Sequence, residues 1–158
     1  MRVAILGNSG SGKTTFAQTL AHSAAGVAVL DLDTIVWTPG QIAVRRPDEA
    51  IRADLESLCA PRDAWIIEGC YGDVIEAALR WRPELVFLNP GEEACLRNCR
   101  SRPWEPHKYA SKAQQDEKLA FLLEWVREYY RRDGDLSLRG HRRVFDRYDG
   151  PKREVGAA

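Results

Sequence analysis

Residues 7–14 read GNSGSGKT and match the pattern G-x-x-x-x-G-K-[ST] of a phosphate-binding loop. Glycines in such a loop let the backbone wrap around phosphate oxygens with its N–H groups pointing inward. We expect Lys13 to reach the β- and γ-phosphates and the Thr14 hydroxyl to bind Mg²⁺. The loop therefore predicts binding of ATP or GTP with Mg²⁺. The expected nucleotide-binding residues are Gly7, Asn8, Ser9, Gly10, Ser11, Gly12, Lys13, Thr14 and Thr15.

Two aspartates, Asp31 and Asp33, follow a second apolar run of the chain. In extended backbone, alternate side chains point to the same side, so both carboxylates are expected to face the phosphate loop. We predict that the pair binds the metal and supplies the catalytic base: one carboxylate orders the Mg²⁺ hydration shell, and Asp33 accepts the proton of an attacking hydroxyl. The alternative is that Asp31 caps a turn, or that both carboxylates are only solvated.

Glu68 ends a third apolar run in the sequence WIIEGCYG. Two roles stay open for it: contact with metal-bound water or with a phosphate acceptor, or capping of a helix expected to start near Asp73. The nearby Tyr71 and the more distant Trp37 are candidates for the wall of an acceptor pocket, although a tryptophan is more often a core residue.

Arg100 and Arg102 lie at the end of a predicted helix and in the proline-rich polar stretch 101–111. Guanidinium groups stabilise the charge that spreads over a transferring phosphoryl group, and a closing flap expels water. Together with Lys13 and Asp33, these two arginines form the predicted catalytic set. The alternative is a solvated helix end, where arginine is favoured by the helix dipole.

The other polar groups carry weaker signals. Arg45 and Arg46 precede a predicted helix and are candidates to grip an anionic acceptor, although each alone reads more simply as surface charge. The three histidines show no metal-ligand spacing, and the four cysteines include no CxxC pair. We expect no zinc site and no disulfide. Control of the metal is expected from Asp31, Asp33 or Glu68.

The apolar periodicity predicts alternating strands and helices. Strands are expected at residues 3–6, 27–30, 65–67 and 85–88, with a weaker fifth at 143–145. Helices are expected at residues 13–24, 47–60, 73–80, 92–100 and 111–132, the last starting from a capping box of Ser111 and Gln114. This alternation predicts a parallel sheet covered by helices on both faces, which binds ligands at the carboxyl ends of its strands.

The bulk composition limits the classes of protein and partner. A length of 158 residues suits one domain, and 44% hydrophobic with 29% charged residues is ordinary for a globular chain. The formal net charge of zero argues against a nucleic-acid partner. The apolar run before Gly7 is too short for a signal peptide or a membrane span, so we expect a cytoplasmic protein without a membrane partner.

The combination of GNSGSGKTT, DLDTIVW, WIIEGCYG, LVFLNP and the arginine-rich stretch resembles the nucleoside-monophosphate-kinase and shikimate-kinase branch of the P-loop kinases. It looks closest to the small adenylate-kinase-like proteins labelled DNA-topology-modulation proteins, over residues 1–155. The resemblance implies an α/β P-loop NTPase sandwich of three layers, with a five-stranded parallel sheet in the order 2-3-1-4-5. It also implies that Asp31 and Asp33 serve metal and acceptor, and that Arg100 and Arg102 match lid arginines.

We therefore predict a single P-loop kinase-like domain over residues 1–158, with an acceptor-binding region at about 35–60 and a lid at about 100–115. Such a domain would transfer the γ-phosphate of ATP, with Mg²⁺, to a small-molecule acceptor, either a nucleotide or a hydroxyl-bearing metabolite. It would act as a monomer or homodimer. Two alternatives stay open: a nucleotide-dependent switch or assembly protein without a small acceptor, and a catalytically silent nucleotide-binding module.

Overall fold

The described part of the chain forms a five-stranded parallel sheet. The computed structural model of the chain describes residues 1–41 and 43–156. Its strands are β1 (Arg2–Gly7), β2 (Ala28–Asp31), β3 (Trp65–Gly69), β4 (Glu84–Asn89) and β5 (Lys152–Gly156). They lie in the order β2-β3-β1-β4-β5, and every pair is parallel. The predicted α/β class and the strand order that the resemblance implied are confirmed.

Eight α-helices connect these strands within the described residues. They are α1 (Lys13–His22), α2 (Asp33–Val36), α3 (Asp48–Cys59), α4 (Gly72–Ala78), α5 (Glu92–Arg100), α6 (Lys112–Glu117), α7 (Leu119–Glu128) and α8 (Leu138–Arg147). A 3₁₀ turn, Leu79–Trp81, extends α4. None of the helices in the described residues is both long and apolar enough to cross a membrane.

Two apolar layers cover the sheet, because successive side chains of a strand point to opposite faces. In β1, Ala4 and Leu6 belong to one layer, whereas Val3 and Ile5 belong to the other. Helices α3, α4 and α8 pack on the first layer, and α1 packs on the second through Ala17. Each fully buried aliphatic side chain stabilises the fold by roughly 1.5–3 kcal/mol, so the phosphate loop follows a strand, β1, that is anchored in the core on both faces.

The predicted fifth strand at residues 143–145 is wrong, since these residues lie in α8. The Ser137 hydroxyl caps α8 by accepting the Gly140 N–H at 3.0 Å, and His141 and Val144 bury one helical face. The true fifth strand, β5, is an edge strand whose side chains are mostly exposed. Its sequence KREVG therefore lacks the apolar run that marks a buried strand.

The helix expected over residues 111–132 is two helices, α6 and α7, that meet at Lys118. Helix α6 buries no side chain, whereas α7 buries Val126 against α5. The capping box forms in part: Ser111 Oγ accepts the Gln114 N–H at 3.1 Å, while Gln114 Oε1 accepts the Ala110 N–H at 2.8 Å. The break falls where the polar sequence KAQQDE gives way to apolar residues, so only α7 is held by the core.

Candidate active site

A cleft of about 1770 Å³ lies at the carboxyl ends of the strands. Parallel pairing brings these ends together, because Asp31 of β2 is in register with Glu68 of β3, and Gly7 of β1 with Leu88 of β4. The cleft is lined by the phosphate loop, α2 and the residues after it, the end of β3, and the segment 101–118 that follows α5. The fold therefore gathers the predicted chemistry at one edge of the sheet.

The phosphate loop is held from behind by α5 and α7. Asn98 Nδ2 donates to the Gly10 carbonyl at 2.8 Å, and the buried Asn8 Nδ2 donates to the Val126 carbonyl at 3.2 Å. Gly10 has φ +79°, and a Cβ at this position would overlap the Cys95 carbonyl oxygen. Glycine is thus required at Gly10 both by the backbone conformation and by the close approach of α5.

The interior of the loop offers hydrogen-bond donors to an anion. Helix α1 begins at Lys13, within the last two residues of the loop, so its positive dipole end faces the glycine-rich turn before it. Lys13 Nζ donates to the Asn8 carbonyl at 2.7 Å. The buried Ser11 hydroxyl has no hydrogen-bond partner among residues 1–41 and 43–156. A buried hydroxyl without a partner is costly, and a phosphate oxygen would supply the missing acceptor.

Glu68 belongs to the phosphate-loop side of the cleft. Its Oε1 accepts the Thr14 hydroxyl at 2.9 Å, and the residue is only 4% exposed. Burial raises the pKa of this carboxyl, with a further rise from Asp31, while Lys13 and the Thr14 hydroxyl oppose the change. Helix α4 has Tyr71 at its N-cap and no side-chain cap bond within the described residues, so Glu68 does not cap it, which was one of the two roles left open by the sequence.

Asp31 and Asp33 both line the cleft, but not through extended backbone as predicted. Asp33 is the first residue of α2, and its N–H donates to Asp31 Oδ1 at 2.9 Å. The extended geometry fails because Leu32, directly after β2, has the helical dihedral angles φ −62° and ψ −22°, so the chain turns between the two aspartates. Asp31 therefore stabilises a turn, which was the alternative to a direct role at the phosphates. It also lines the cleft.

The two aspartates differ in their tendency to ionise. Burial raises the pKa of Asp31, and the neighbouring Asp33 charge raises it further. Burial also acts to raise the pKa of Asp33, but the Lys108 ammonium and the Tyr71 hydroxyl outweigh it and hold that pKa below its ordinary value. The neighbours of Asp33 thus favour its ionised form, which is the state that a proton acceptor requires.

Lys108 is a charged residue of the cleft that the sequence analysis did not single out. Its Nζ lies 3.0 Å from Asp33 Oδ2 and 3.8 Å from Glu105 Oε1. Tyr71 donates to the other oxygen of Asp33, and Trp37 Nε1 donates to the Tyr71 hydroxyl at 2.8 Å. Nothing in the local pattern EPHKYA marks this lysine, because its partner lies 75 positions earlier in the chain.

The structure separates the two predicted lid arginines. Arg102 lines the cleft, and its guanidinium lies 3.8 Å from Glu105. Arg100 is exposed and does not line the cleft as the described residues form it. The difference follows from the helix: Cys95, Leu96 and Cys99 form the buried face of α5, and Arg100 lies on the solvent side of its last turn. Of the pair, only Arg102 lines the cleft that the phosphate loop also lines, as far as the described residues form it.

The donor groups around the loop suit Mg²⁺. Among the described residues, no group of three or more His, Cys, Asp or Glu side chains could hold a metal ion by itself. Mg²⁺ in nucleotide sites commonly uses one or two protein oxygens together with phosphate oxygens and water, so a full protein cage is not needed. The Thr14 hydroxyl with the nearby Glu68, Asp31 and Asp33 carboxylates provides oxygen donors of this kind.

No protein-family model matches the sequence, and no curated protein matches it. Solved structures do. A sugar kinase from Janibacter has a TM-score of 0.53 at 19% identity and covers 98% of this chain and 83% of that one. A gluconokinase from Sinorhizobium meliloti has a TM-score of 0.56 at 17% identity, with 99% and 82% covered. A shikimate kinase from Bacteroides thetaiotaomicron has a TM-score of 0.53 at 22% identity, with 78% and 76% covered.

These similarities establish the fold. The five-stranded parallel sheet in the order 2-3-1-4-5, with a glycine-rich loop between β1 and α1, is the α/β fold of the P-loop kinases. The resemblance drawn from the sequence motifs is confirmed at this level. With identities of 22% or less, the comparisons leave the reaction and the acceptor to be argued from the site itself.

Proposed function

We propose that the protein is a small-molecule kinase that transfers the γ-phosphate of ATP, with Mg²⁺, to an acceptor hydroxyl. The observation that carries this proposal is the position of Asp33. Its carboxylate is held ionised in the same cleft as the phosphate loop, and it lies beside the aromatic side chains of Trp37 and Tyr71. The sugar, gluconate and shikimate kinases that share the fold make this reaction class the natural one to test.

The proposed roles follow the positions of the groups. The loop amides and the start of α1 bind the triphosphate, and Lys13 turns from the Asn8 carbonyl to the phosphates. Arg102 adds positive charge from the lid proposed at about residues 100–115. Asp33 accepts the proton of the attacking hydroxyl. Thr14, Asp31 and Asp33 would hold Mg²⁺, which neutralises phosphate charge when bound.

The space beside Asp33 favours a kinase over a nucleotide switch that has no small acceptor. Residues 37–41, which belong to the acceptor region proposed at about 35–60, line the cleft together with the end of β3. Trp37 and Tyr71 there form an edge-to-face pair with ring centroids 6.0 Å apart. An ionised carboxylate beside aromatic walls is typical of a site that orients a small ligand.

The test is a phosphotransfer screen with ATP or GTP and Mg²⁺ over sugars, nucleosides, nucleoside monophosphates, hydroxy acids and aminoglycosides. We expect at least one acceptor to accelerate ADP formation and to appear as a phosphorylated product by mass spectrometry. With that acceptor, Asp33→Asn is expected to lower kcat by about 10²-fold, since it removes the proton acceptor. Asp48→Asn, which changes an exposed carboxylate on α3, is the matched control.

Two results would contradict the proposal. If no acceptor raises ADP formation above the rate with water alone, the kinase function is wrong, and acceleration by a macromolecule would favour the switch. If Asp33→Asn retains near-normal kcat on a good acceptor, Asp33 is not the base.

A further inference from the structure

The lid segment, residues 103–117 of the proposed lid, is held together by hydrogen bonds within itself. The side-chain amide of Gln115 joins its two ends: Oε1 accepts the Glu105 N–H at 2.8 Å, and Nε2 donates to the Pro103 carbonyl at 3.1 Å. Because these bonds close within the segment, they maintain its shape but do not attach it to the rest of the protein. Its position at the cleft depends on other contacts.

One ion pair attaches the lid segment to the start of α2. Lys108 Nζ lies 3.0 Å from Asp33 Oδ2, and the two side chains are 30% and 32% exposed, so water screens this pair less than it screens a surface pair. Within residues 1–41 and 43–156, no other hydrogen bond or ion pair joins the lid segment to a residue before 99 or after 122. The pair is therefore the polar link between the lid segment and the opposite wall of the cleft.

This link uses the carboxylate that the proposed reaction needs. Tyr71 donates to Asp33 Oδ1, and Trp37 Nε1 donates to the Tyr71 hydroxyl at 2.8 Å, so groups outside the lid segment hold that oxygen. Lys108 is the partner of the other oxygen. Two roles are proposed for Asp33, as proton acceptor and as a ligand of Mg²⁺. The Lys108 ammonium competes with both, because it neutralises the carboxylate charge and fills the space beside Oδ2.

We propose that Lys108 is a latch: in the protein without substrate its ammonium covers Asp33 and holds the lid segment across the cleft, and productive substrate binding has to release it. This inference rests on the proposed function, because it takes Asp33 as the reactive carboxylate. A bound acceptor offsets the lost ion pair with its other contacts in the cleft, whereas a water molecule has no such contacts. Lys108 thereby favours transfer to the acceptor over hydrolysis.

The reaction that the latch restrains is hydrolysis of ATP. A water oxygen bonds to the γ-phosphorus as the bond from that phosphorus to the β–γ bridging oxygen breaks. The water proton passes to Asp33, and ADP leaves with the bonding electron pair. An ion pair worth about 1 kcal/mol makes the unlatched form about fivefold rarer, and it slows this hydrolysis by the same factor.

The experiment measures phosphate release from ATP with Mg²⁺ and without any acceptor, over a range of ATP concentrations. Lys108→Met is expected to raise kcat/KM for hydrolysis about fivefold. The change falls in KM if Mg²⁺ and ATP release the latch by binding, and in kcat if they do not, so kcat/KM rises in either case. Lys112→Met, which removes the same charge from the same segment and breaks only an exposed ion pair, should leave kcat/KM unchanged.

Three results of this assay overturn the latch. The first is an unchanged or lower kcat/KM in Lys108→Met, since a lower value would mean that the ammonium assists the phosphates. The second is an equal rise in Lys112→Met. The third is a full rise when Lys108→Met is introduced into Asp33→Asn, because the latch has already lost its carboxylate there and no rise is expected.

Amide hydrogen exchange of the lid segment tests the same pair without nucleotide, and it decides the matter if hydrolysis is too slow to measure. Lys108→Met and Asp33→Asn should each raise the exchange rate about fivefold, and the double variant should raise it no further, because both changes break one contact. Unchanged exchange in Asp33→Asn, or effects that multiply in the double variant, overturn the latch. Neither measurement contains an acceptor, so a result against the latch leaves the kinase function to the acceptor screen.

Discussion

Replacing Gly10 with alanine tests how the phosphate loop is held in place. Gly10 has φ +79°, and an added Cβ would overlap the Cys95 carbonyl oxygen and lie 2.8 Å from Cys99 Sγ. The left-handed backbone costs alanine about 1–2 kcal/mol, and forcing a methyl group into a packed contact costs about 1–3 kcal/mol more. We expect Gly10→Ala to lower the free energy of unfolding by about 2–5 kcal/mol, since the overlap is with backbone that cannot rotate away.

Gly26 provides the matched control for this substitution. It has φ +80°, almost that of Gly10, but an added Cβ there meets nothing within 4 Å. Gly26→Ala should therefore cost only the conformational part, about 1–2 kcal/mol. Urea unfolding of both variants, at an unchanged m value, measures the difference. If Gly10→Ala is no less stable than Gly26→Ala, the loop is not pressed against α5, and the structural reasoning is wrong.

Three further substitutions test the cleft and the core. Lys13→Met should lower kcat/KM by about 10²–10³-fold, because one cation aimed at the phosphates is lost. The control Lys112→Met breaks only an exposed ion pair within α6 and should leave kcat/KM unchanged. Lys108→Met should increase the rate of amide hydrogen exchange in the segment 101–118 about fivefold, because the lost ion pair with Asp33 is partly buried and is worth about 1 kcal/mol. An equal increase in Lys112→Met would contradict this prediction. The free energy of unfolding of the unsubstituted protein should fall as the pH is lowered from 6.5 to 4, and His141→Gln should remove this fall.

The prediction for His141 follows from its burial. Desolvation lowers the pKa of this histidine from 6.5 to about 4, and the neutral ring accepts the Tyr129 hydroxyl at Nδ1 and donates from Nε2 to the Cys70 carbonyl, each at 2.7 Å. Its folded pKa is depressed, so its contribution is fully present above pH 6.5 and is lost as the pH falls to about 4. The loss amounts to about 3 kcal/mol.

Chemical unfolding at pH 7, 5.5 and 4 measures this loss in the unsubstituted protein, in His141→Gln and in His22→Gln, which replaces an exposed histidine. Parallel pH profiles for the unsubstituted protein and His141→Gln would show that His141 is not buried in its neutral form.

Local sequence patterns were sufficient for the phosphate loop and for most of the elements that present it. The loop motif needs only residues 7–14 in order, and the buried strands β1, β3 and β4 show as apolar runs because both of their faces are covered. The boundaries of α5 were predicted as Glu92 to Arg100, since its acidic start and the glycine before it are local signals. The positions of Asp31, Asp33 and Glu68 at strand ends were enough to predict that they would share a cleft.

The tertiary structure decided what depends on contacts between distant residues. Strand β5 is recognised only by its pairing with β4, because an edge strand with exposed side chains carries no apolar signal. The ion pair of Lys108 with Asp33 joins segments that no spacing rule connects, and it lowers the pKa of Asp33 although burial acts to raise it. Sequence alone thus determined that the protein has a phosphate loop with carboxylates nearby. The packing of separate segments determined the charge of the space beside it, because electrostatic interactions depend on distance in three dimensions and not along the chain.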